Sequence, residues 1–328
     1  MKKLSILLLV ALLVGVFAGC AAPPAAPAPA AATAAPAAAA KPYIPVISKG
    51  FQHQFWQAVR QGSEKAAKDF NVDITFEGPE TEAQVDKQME MLQTAIDKKP
   101  AAICFAAVDS KAAIPLLEKA KAAGIPVIGF DSGVDSDIPV TTASTDNLAA
   151  AAAAADHMAT LIGKGEVAVI AHDQTSVTGR DRVKGFTDQI KAKYPDITVV
   201  DVQYGAGDAL KSTDIVKAVI QGHPNLKGYF GANEGSMKGV MNGVKETGME
   251  GKIVMIGYDA GKQLKDEIKA GIVAGAISQD PVGIGYKCVE AAVKASKGET
   301  LPKTIDTGFV WYDKTNMDKP EMQPLLYD

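Results

Sequence analysis

Two aspartates set the question of chemistry. Asp131 follows Phe130 and Asp259 follows Tyr258, and each closes a similar unit of chain. In residues 100–147 an apolar run, Ala102–Ala107, has strand length, and Asp109 and Ser110 are helix-start residues. Aliphatics at helical spacing fill 112–123, Gly124 and Pro126 end that helix, and Ile125–Phe130 is a second buried strand. Residues 225–259 repeat the plan: Phe230-Gly231-Ala232-Asn233-Glu234 aligns with Phe105-Ala106-Ala107-Val108-Asp109, and Gly248 falls near Gly124. A strand–helix–strand unit of this kind is a right-handed parallel crossover, and ligands bind beyond the carboxyl ends of such strands. An acid at each of two such tips can accept hydrogen bonds from a set of hydroxyls. The competing chemistry is the carboxylate pair of glycoside cleavage, which needs one acid with a raised pKa. Both aspartates sit among polar neighbours that keep them ionised, so no raised-pKa acid is expected and hydrogen-bond acceptance is the reading.

Other chemistry is thinner. His172 stands beside Asp173, a pairing that reads as a solvated turn near a strand end rather than a catalytic dyad. His53, His157, His172 and His223 are scattered with no metal-ligand spacing, so no metal or other cofactor is expected. Cys104 and Cys288 lie in apolar surroundings and read as buried packing residues. No GxxxxGK[ST] phosphate loop is present.

The elements that must position the acids follow from periodicity. Helical spacing predicts helices over 55–70, 81–98, 147–162, 178–193, 210–222, 262–270 and 282–297. Strands are predicted over 43–48, 74–77, 167–171, 198–203 and 273–278, besides those of the two repeated units. Regular alternation gives an α/β fold of two similar doubly wound parallel-sheet lobes. Three hinge segments, near 144–147, 279–281 and 307–310, carry the chain between them. The N-terminal lobe is expected from 43–145 plus 281–308, and the C-terminal lobe from 146–280 plus 309–328.

Residues 1–20 have two lysines, an apolar run and small residues before Cys20, the pattern of a secretory signal peptide. Ala18-Gly19-Cys20 resembles a bacterial lipobox, although Phe17 departs from its usual aliphatic residue. Cys20 is therefore the expected lipidation site, anchoring the chain to a membrane surface without spanning it. Residues 21–42 are almost wholly Ala and Pro and read as a tether, reaching about 60 Å if extended at ~3.1 Å per residue. The formal net charge of −4 and the lack of a basic stripe make nucleic acid an unsuitable partner.

Taken in order, the loop 48–56, the Phe130-Asp131 and Tyr258-Asp259 pairs, the run Arg180–Phe186, Asn233, and Gln279 in Ile-Ser-Gln-Asp-Pro resemble the ribose-binding protein family. The likeness runs over essentially all of 43–328. It implies a periplasmic sugar-binding protein of an ABC transporter whose two lobes close on a monosaccharide. By that resemblance Phe55 and Trp56 stack on the sugar ring, with Ser48 and His53 on the same loop. Asp131 and Asp259 accept hydroxyl hydrogen bonds, Arg182 donates several, and Asn233 does both. Tyr258 is a further stacking aromatic, and Gln279 touches the ligand from a hinge.

The chain also departs from the family. Ala106 stands where ribose binders carry an Asn, Ser132 where they carry an Arg, and the loop near Gly207 lacks an aromatic. The expected ligand is a monosaccharide or related polyol other than ribose, with space opened beside Ala106 and Ser132. Expected partners are that ligand, an ABC transporter permease and, through the lipid anchor only, a membrane. The chain is expected to be monomeric and extracytoplasmic, in the periplasm or on the outer face of the cell membrane, and not an enzyme. A secreted sugar-acting enzyme and a chemosensory sugar receptor component are the alternatives on the same fold. A sugar-responsive transcription regulator needs a DNA-binding module before the first strand, where this chain has its leader and tether.

Overall fold

The computed structural model describes residues 41–327. The leader, Cys20 and the tether up to residue 40 lie outside the described residues. The chain begins with β1 (Tyr43–Ile47), α1 (Gln54–Phe70), β2 (Asp73–Glu77), α2 (Val85–Asp97), β3 (Ile103–Phe105), α3 (Ile114–Ala122), β4 (Val127–Phe130) and β5 (Thr141–Ser144). It continues with α4 (Asn147–Ile162), β6 (Gly165–Ala171), α5 (Val177–Lys193), β7 (Ile197–Tyr204), α6 (Ala209–Gly222), β8 (Leu226–Gly231), α7 (Glu234–Glu246) and β9 (Val254–Tyr258). Next come α8 (Lys262–Lys269), β10 (Gly275–Gln279), α9 (Pro281–Ser296), β11 (Thr304–Asp306) and β12 (Phe309–Tyr312).

The strands form two six-stranded sheets with one plan, β11-β5-β4-β3-β1-β2 and β12-β10-β9-β8-β6-β7. Pairing is parallel throughout except between β12 and β10, which run antiparallel. Helices cover both faces, which is why β3 and β4 are wholly buried apolar runs rather than alternating ones. The chain passes between the sheets three times, from β5 to α4, from β10 to α9 and from β11 to β12.

Local boundaries differ from expectation where a side chain finds a better partner. Thr81-x-x-Gln84 has the form of a capping box, and Gln84 Oε1 does accept the Thr81 N–H at 3.1 Å. Even so, α2 begins only at Val85, leaving 81–84 as a turn whose Glu82 points inward, 6% exposed. Strands β5, β11 and β12 are short and carry no clear alternation, so periodicity alone does not resolve them.

In the first lobe α9 lies against α1 with almost no side chain between them. A Cβ at Gly62 would stand 1.9 Å from the Val282 carbonyl oxygen, and one at Gly285 2.0 Å from that of Val59. Behind α1 the C-terminal tail turns through a short 3₁₀ segment, Gln323–Leu325, and inserts Tyr327. Its ring meets Phe55 edge-on at 6.2 Å and its hydroxyl accepts the Ala260 N–H at 3.1 Å. Ser278 Oγ holds the same tail through the Leu325 carbonyl at 2.6 Å. One residue thus packs against the cores of both lobes.

Candidate ligand-binding site

The two aspartates are built alike. Each leaves its strand in the left-handed region, at φ 54° for Asp131 and φ 76° for Asp259. Each backbone N–H is tied to the neighbouring strand, Asp131 to Ala143 O at 2.9 Å and Asp259 to Ile277 O at 2.7 Å. Aspartate tolerates this conformation better than most residues, yet it still costs on the order of 1 kcal/mol, and such strain concentrates where side chains must be aimed. Both carboxylates turn into one cavity between the sheets.

Eight of the ten ligand-binding residues expected from the sequence line that cavity: His53, Phe55, Trp56, Asp131, Arg182, Asn233, Asp259 and Gln279. Phe55 and Trp56 form an edge-on aromatic pair at the start of α1, with ring centroids 5.0 Å apart. Asn233 lines the cavity and is also the N-cap of α7, its Oδ1 accepting the Ser236 N–H at 2.9 Å. Gln279 Nε2 donates to Asp259 Oδ1 at 2.8 Å, and Asp259 Oδ2 takes the Glu234 N–H at 2.9 Å.

Ser48 and Tyr258 do not line the cavity. Ser48 Oγ braces its own loop, within 3.1 Å of the carbonyls of Gly50 and Glu77. Tyr258, expected to stack on a ligand, lies instead beneath Arg182, whose guanidinium carbon is 3.8 Å from the ring centroid. The Tyr258 hydroxyl and the Arg182 Nε both reach Asn147 Oδ1, at 3.0 and 2.7 Å, and an Arg182 Nη donates to Ala232 O at 3.0 Å. The aromatic therefore fixes the arginine that faces the site.

Four wall residues escaped the sequence reading: Lys49, Glu82, His172 and Thr178. Lys49 Nζ donates to Thr178 Oγ1 of the other lobe at 3.2 Å and lies 3.7 Å from Glu82. Glu82 accepts the Trp56 indole N–H at 2.8 Å and so sets the orientation of that ring. His172 corrects the solvated-turn expectation: it is 2% exposed, with Nε2 3.1 Å from Thr178 Oγ1. Asp173, its neighbour, instead holds the turn before α5 by accepting the Thr175 and Ser176 N–H groups. The space expected beside Ala106 and Ser132 is not part of the cavity. Ala106 and Ser132 are both fully buried away from it, and Gln88 Nε2 ties the Ala106 carbonyl at 2.8 Å.

The electrostatics also differ from expectation. Burial raises Asp131 to about 6, against the pull of Lys49 and Arg182, and among the described residues nothing donates a hydrogen bond to its carboxylate. Asp259 is likewise raised by burial, partly offset by Arg182 and the Gln279 bond. Burial pushes Glu82 up as well, but the pull of the Lys49 ammonium and the Trp56 bond oppose it, and Glu82 is held down to about 2. Burial and then Lys49 drive His172 down to about 3, so its imidazole is neutral. His53 Nε2, His172 Nδ1 and Gln279 Oε1 are buried without a hydrogen-bond partner among the described residues. The cavity thus offers acceptors, donors and aromatic side chains around a space of about 20 Å³.

Comparison with known proteins agrees with this geometry. The sequence profile described as "Periplasmic binding protein domain" matches residues 44–300. The D-allose-binding periplasmic protein of Escherichia coli is 28% identical over 267 residues, 78% of this chain and 86% of that protein. The ribose import binding protein RbsB of Bacillus subtilis is 27% identical over 252 residues, 76% of this chain and 80% of that protein. Among solved structures, a carbohydrate transporter solute-binding protein from Agrobacterium radiobacter in complex with D-arabinose superposes with a TM-score of 0.84 at 34% identity. The match covers 88% of this chain and 99% of that one. A solute-binding protein of an ABC transporter from Agrobacterium vitis with bound D-fucose matches equally, TM-score 0.84 at 34% identity, over 87% of this chain and all of the other.

Proposed function

Because the chain belongs to the periplasmic binding protein family, whose members here are transport binding proteins rather than enzymes, we propose that it captures a monosaccharide between its lobes and delivers it to an ABC importer. The observation that carries this reading is the pair of strand-tip aspartates turned into one interlobe cavity beside Arg182, Asn233, Gln279 and the Phe55–Trp56 pair. Carboxylates accept from sugar hydroxyls, the guanidinium donates, and amides do both. Aromatic rings suit the apolar C–H face of a sugar. The space of about 20 Å³ holds roughly one water molecule, so a sugar enters as the lobes swing apart and is then contacted from both sides on closure.

The ligand-contacting set is Asp131, Asp259, Arg182, Asn233, Gln279, His53, Phe55 and Trp56, joined by Lys49 and His172. Ser48 and Tyr258 act from behind, bracing the loop and the arginine. The protein works outside the cytoplasm. The lipobox-like Ala18-Gly19-Cys20 and the Ala/Pro stretch support a chain tethered to the membrane surface by lipid at Cys20.

The test is a melting-temperature screen against pentoses, hexoses and sugar alcohols, followed by calorimetry, since a ligand that binds only the folded protein raises its melting point. D-arabinose, D-fucose and D-tagatose belong in the panel because structural relatives hold them. D-ribose and D-allose belong in it as well, because sequence relatives are named for binding them. No shift with any sugar overturns the function.

Both strand-tip acids are raised by burial, a feature shared with a sugar-cleaving acid. Asp259, bonded by Gln279 and the Glu234 amide, is committed as an acceptor. No release of nitrophenol from aryl glycosides is expected, and turnover there would favour an enzyme.

Trp56 should report the event. It is 1% exposed in the cavity wall, whereas Trp311 stacks on His157 at 3.7 Å, away from the wall. Sugar addition should change the emission of wild type and Trp311→Phe but not of Trp56→Phe. A signal that survives in Trp56→Phe assigns it to Trp311 and makes Trp56 a packing residue only.

A further inference from the structure

Helix α1 has no cap of its own. The residue before it, His53, makes no side-chain capping bond, and its first turn carries no acid. The first amides of a helix need acceptors, and the positive end of the helix dipole favours a negative one. Here the acceptor comes from the other lobe. Glu234, in the first turn of α7, spreads its carboxylate across the cleft, Oε1 accepting the Gln54 N–H and Oε2 the Phe55 N–H, both at 3.2 Å. Glu234 is 2% exposed, is paired with Lys238 at 2.7 Å, and gives its own N–H to Asp259. Beside it Gln54 Oε1 accepts the Lys262 N–H at 2.8 Å. The bare backbone of Gly207 and Gly235 admits His53 to the same junction: a Cβ at Gly235 would stand 2.8 Å from the His53 ring and 1.9 Å from Gly207 O.

We propose that Glu234 is a positioning residue that caps α1 in trans, so that the first turn of α1, with Phe55 and Trp56, is fixed over the cavity only when the lobes meet. A continuous path then joins one strand-tip acid to the aromatic wall: the Asp259 carboxylate, the Glu234 amide and carboxylate, and the α1 amides. Closing the lobes completes a helix start, and opening them exposes two orphan amides to water. On the sugar-binding reading, this contact lengthens the residence of the ligand.

The experiment compares wild type with Glu234→Ala, Glu234→Gln and Glu234→Asp in the full chain, with and without D-fucose. The readouts are amide exchange at the start of α1, the radius of gyration in solution and D-fucose affinity. Glu234→Ala is expected to speed exchange at Gln54 and Phe55, raise the radius of gyration and weaken D-fucose binding about tenfold, at little cost in melting temperature. Glu234→Asp keeps the charge but falls short of both amides and should behave like Ala, whereas Gln, with one acceptor oxygen, should be intermediate. A purely structural role would lower the melting temperature without changing exchange at this one turn. Unchanged exchange and size in all three variants, in both conditions, overturns the proposal. If D-fucose leaves wild type unaffected while exchange and size still shift in the variants, the capping stands and D-fucose is removed as a ligand.

Discussion

Asp131→Ala is expected to weaken sugar binding by a factor of about 100, roughly 2.7 kcal/mol, because the lost group is a buried charged acceptor aimed into the cavity. The same change should leave the folded protein at least as stable at pH 7. The reason is the cost of keeping that charge. Held at about 6 instead of its ordinary 3.8, the carboxylate ionises inside the fold against a penalty of roughly 3 kcal/mol above pH 6. The folded protein binds this proton more tightly than the unfolded chain, so the penalty is absent below pH 3.8 and grows as pH rises to about 6. Binding runs the opposite way. Hydroxyls need the carboxylate, so wild-type affinity should be flat above pH 6 and about tenfold weaker at pH 5. Of the other titrating groups that face it, Arg182 is raised and stays cationic, Glu82, held down to about 2, stays anionic, and Asp259, also raised by burial, adds to the loss on the acid side. Neutral His172 does not titrate in this window. Asp131→Asn should flatten the profile. Calorimetry that finds Asp131→Ala binding as tightly as wild type, or a wild-type profile unchanged down to pH 5, removes Asp131 from the site.

The largest effect on the fold is expected at Gly62. Alanine there gains about 1 kcal/mol of helix propensity. Its methyl group would nevertheless stand 1.9 Å from the Val282 carbonyl oxygen and 2.8 Å from that carbonyl carbon. These are backbone atoms, which no rotamer change removes, so α1 and α9 must move apart. Gly62→Ala should destabilise the protein by roughly 2–4 kcal/mol net. Gly222→Ala, near whose Cβ no other atom lies within 4 Å, should be neutral or stabilising by ~0.5 kcal/mol. Urea unfolding curves that place Gly62→Ala and Gly222→Ala at the same midpoint would contradict the close crossing of α1 and α9.

How much of this was legible in the chain depended on whether the cause was local. The two Asp-tipped units could be found because a buried parallel strand is a short apolar run and a helix has its own period; both aspartates then fell where such strands end. The wall residues that were missed depend on contacts between lobes or on competition for a side chain. Lys49 and Thr178 matter because their elements meet across the cleft. Glu82 was hidden in a predicted helix, since Thr81-x-x-Gln84 looks like a helix start. Its inward turn is set by Trp56 and Lys49, distant in sequence. His172 looked solvated because nothing local shows that α5 and the other lobe enclose it. Tyr258 was placed correctly at its strand end, but its face is taken by Arg182, and no spacing rule records which aromatic face an arginine will occupy. The expectation of unperturbed acids failed for a similar reason: the Asp131 shift arises from burial, which is a property of the assembled lobes.

The tail that inserts Tyr327 behind Phe55 bears on how such a protein is turned into an optical sensor. A fluorescent reporter appended behind that tail would pull on the brace linking Phe55, Ala260 and Leu325. Its mass and tethering would then bias the lobes before any sugar arrived. The turn at Gly298 is a better graft point: it sits at φ 77° with no other atom within 4 Å of its Cβ position, past the end of α9 and before β11. A reporter inserted there rides on one lobe, so its signal would follow the motion of that lobe while the brace stays intact.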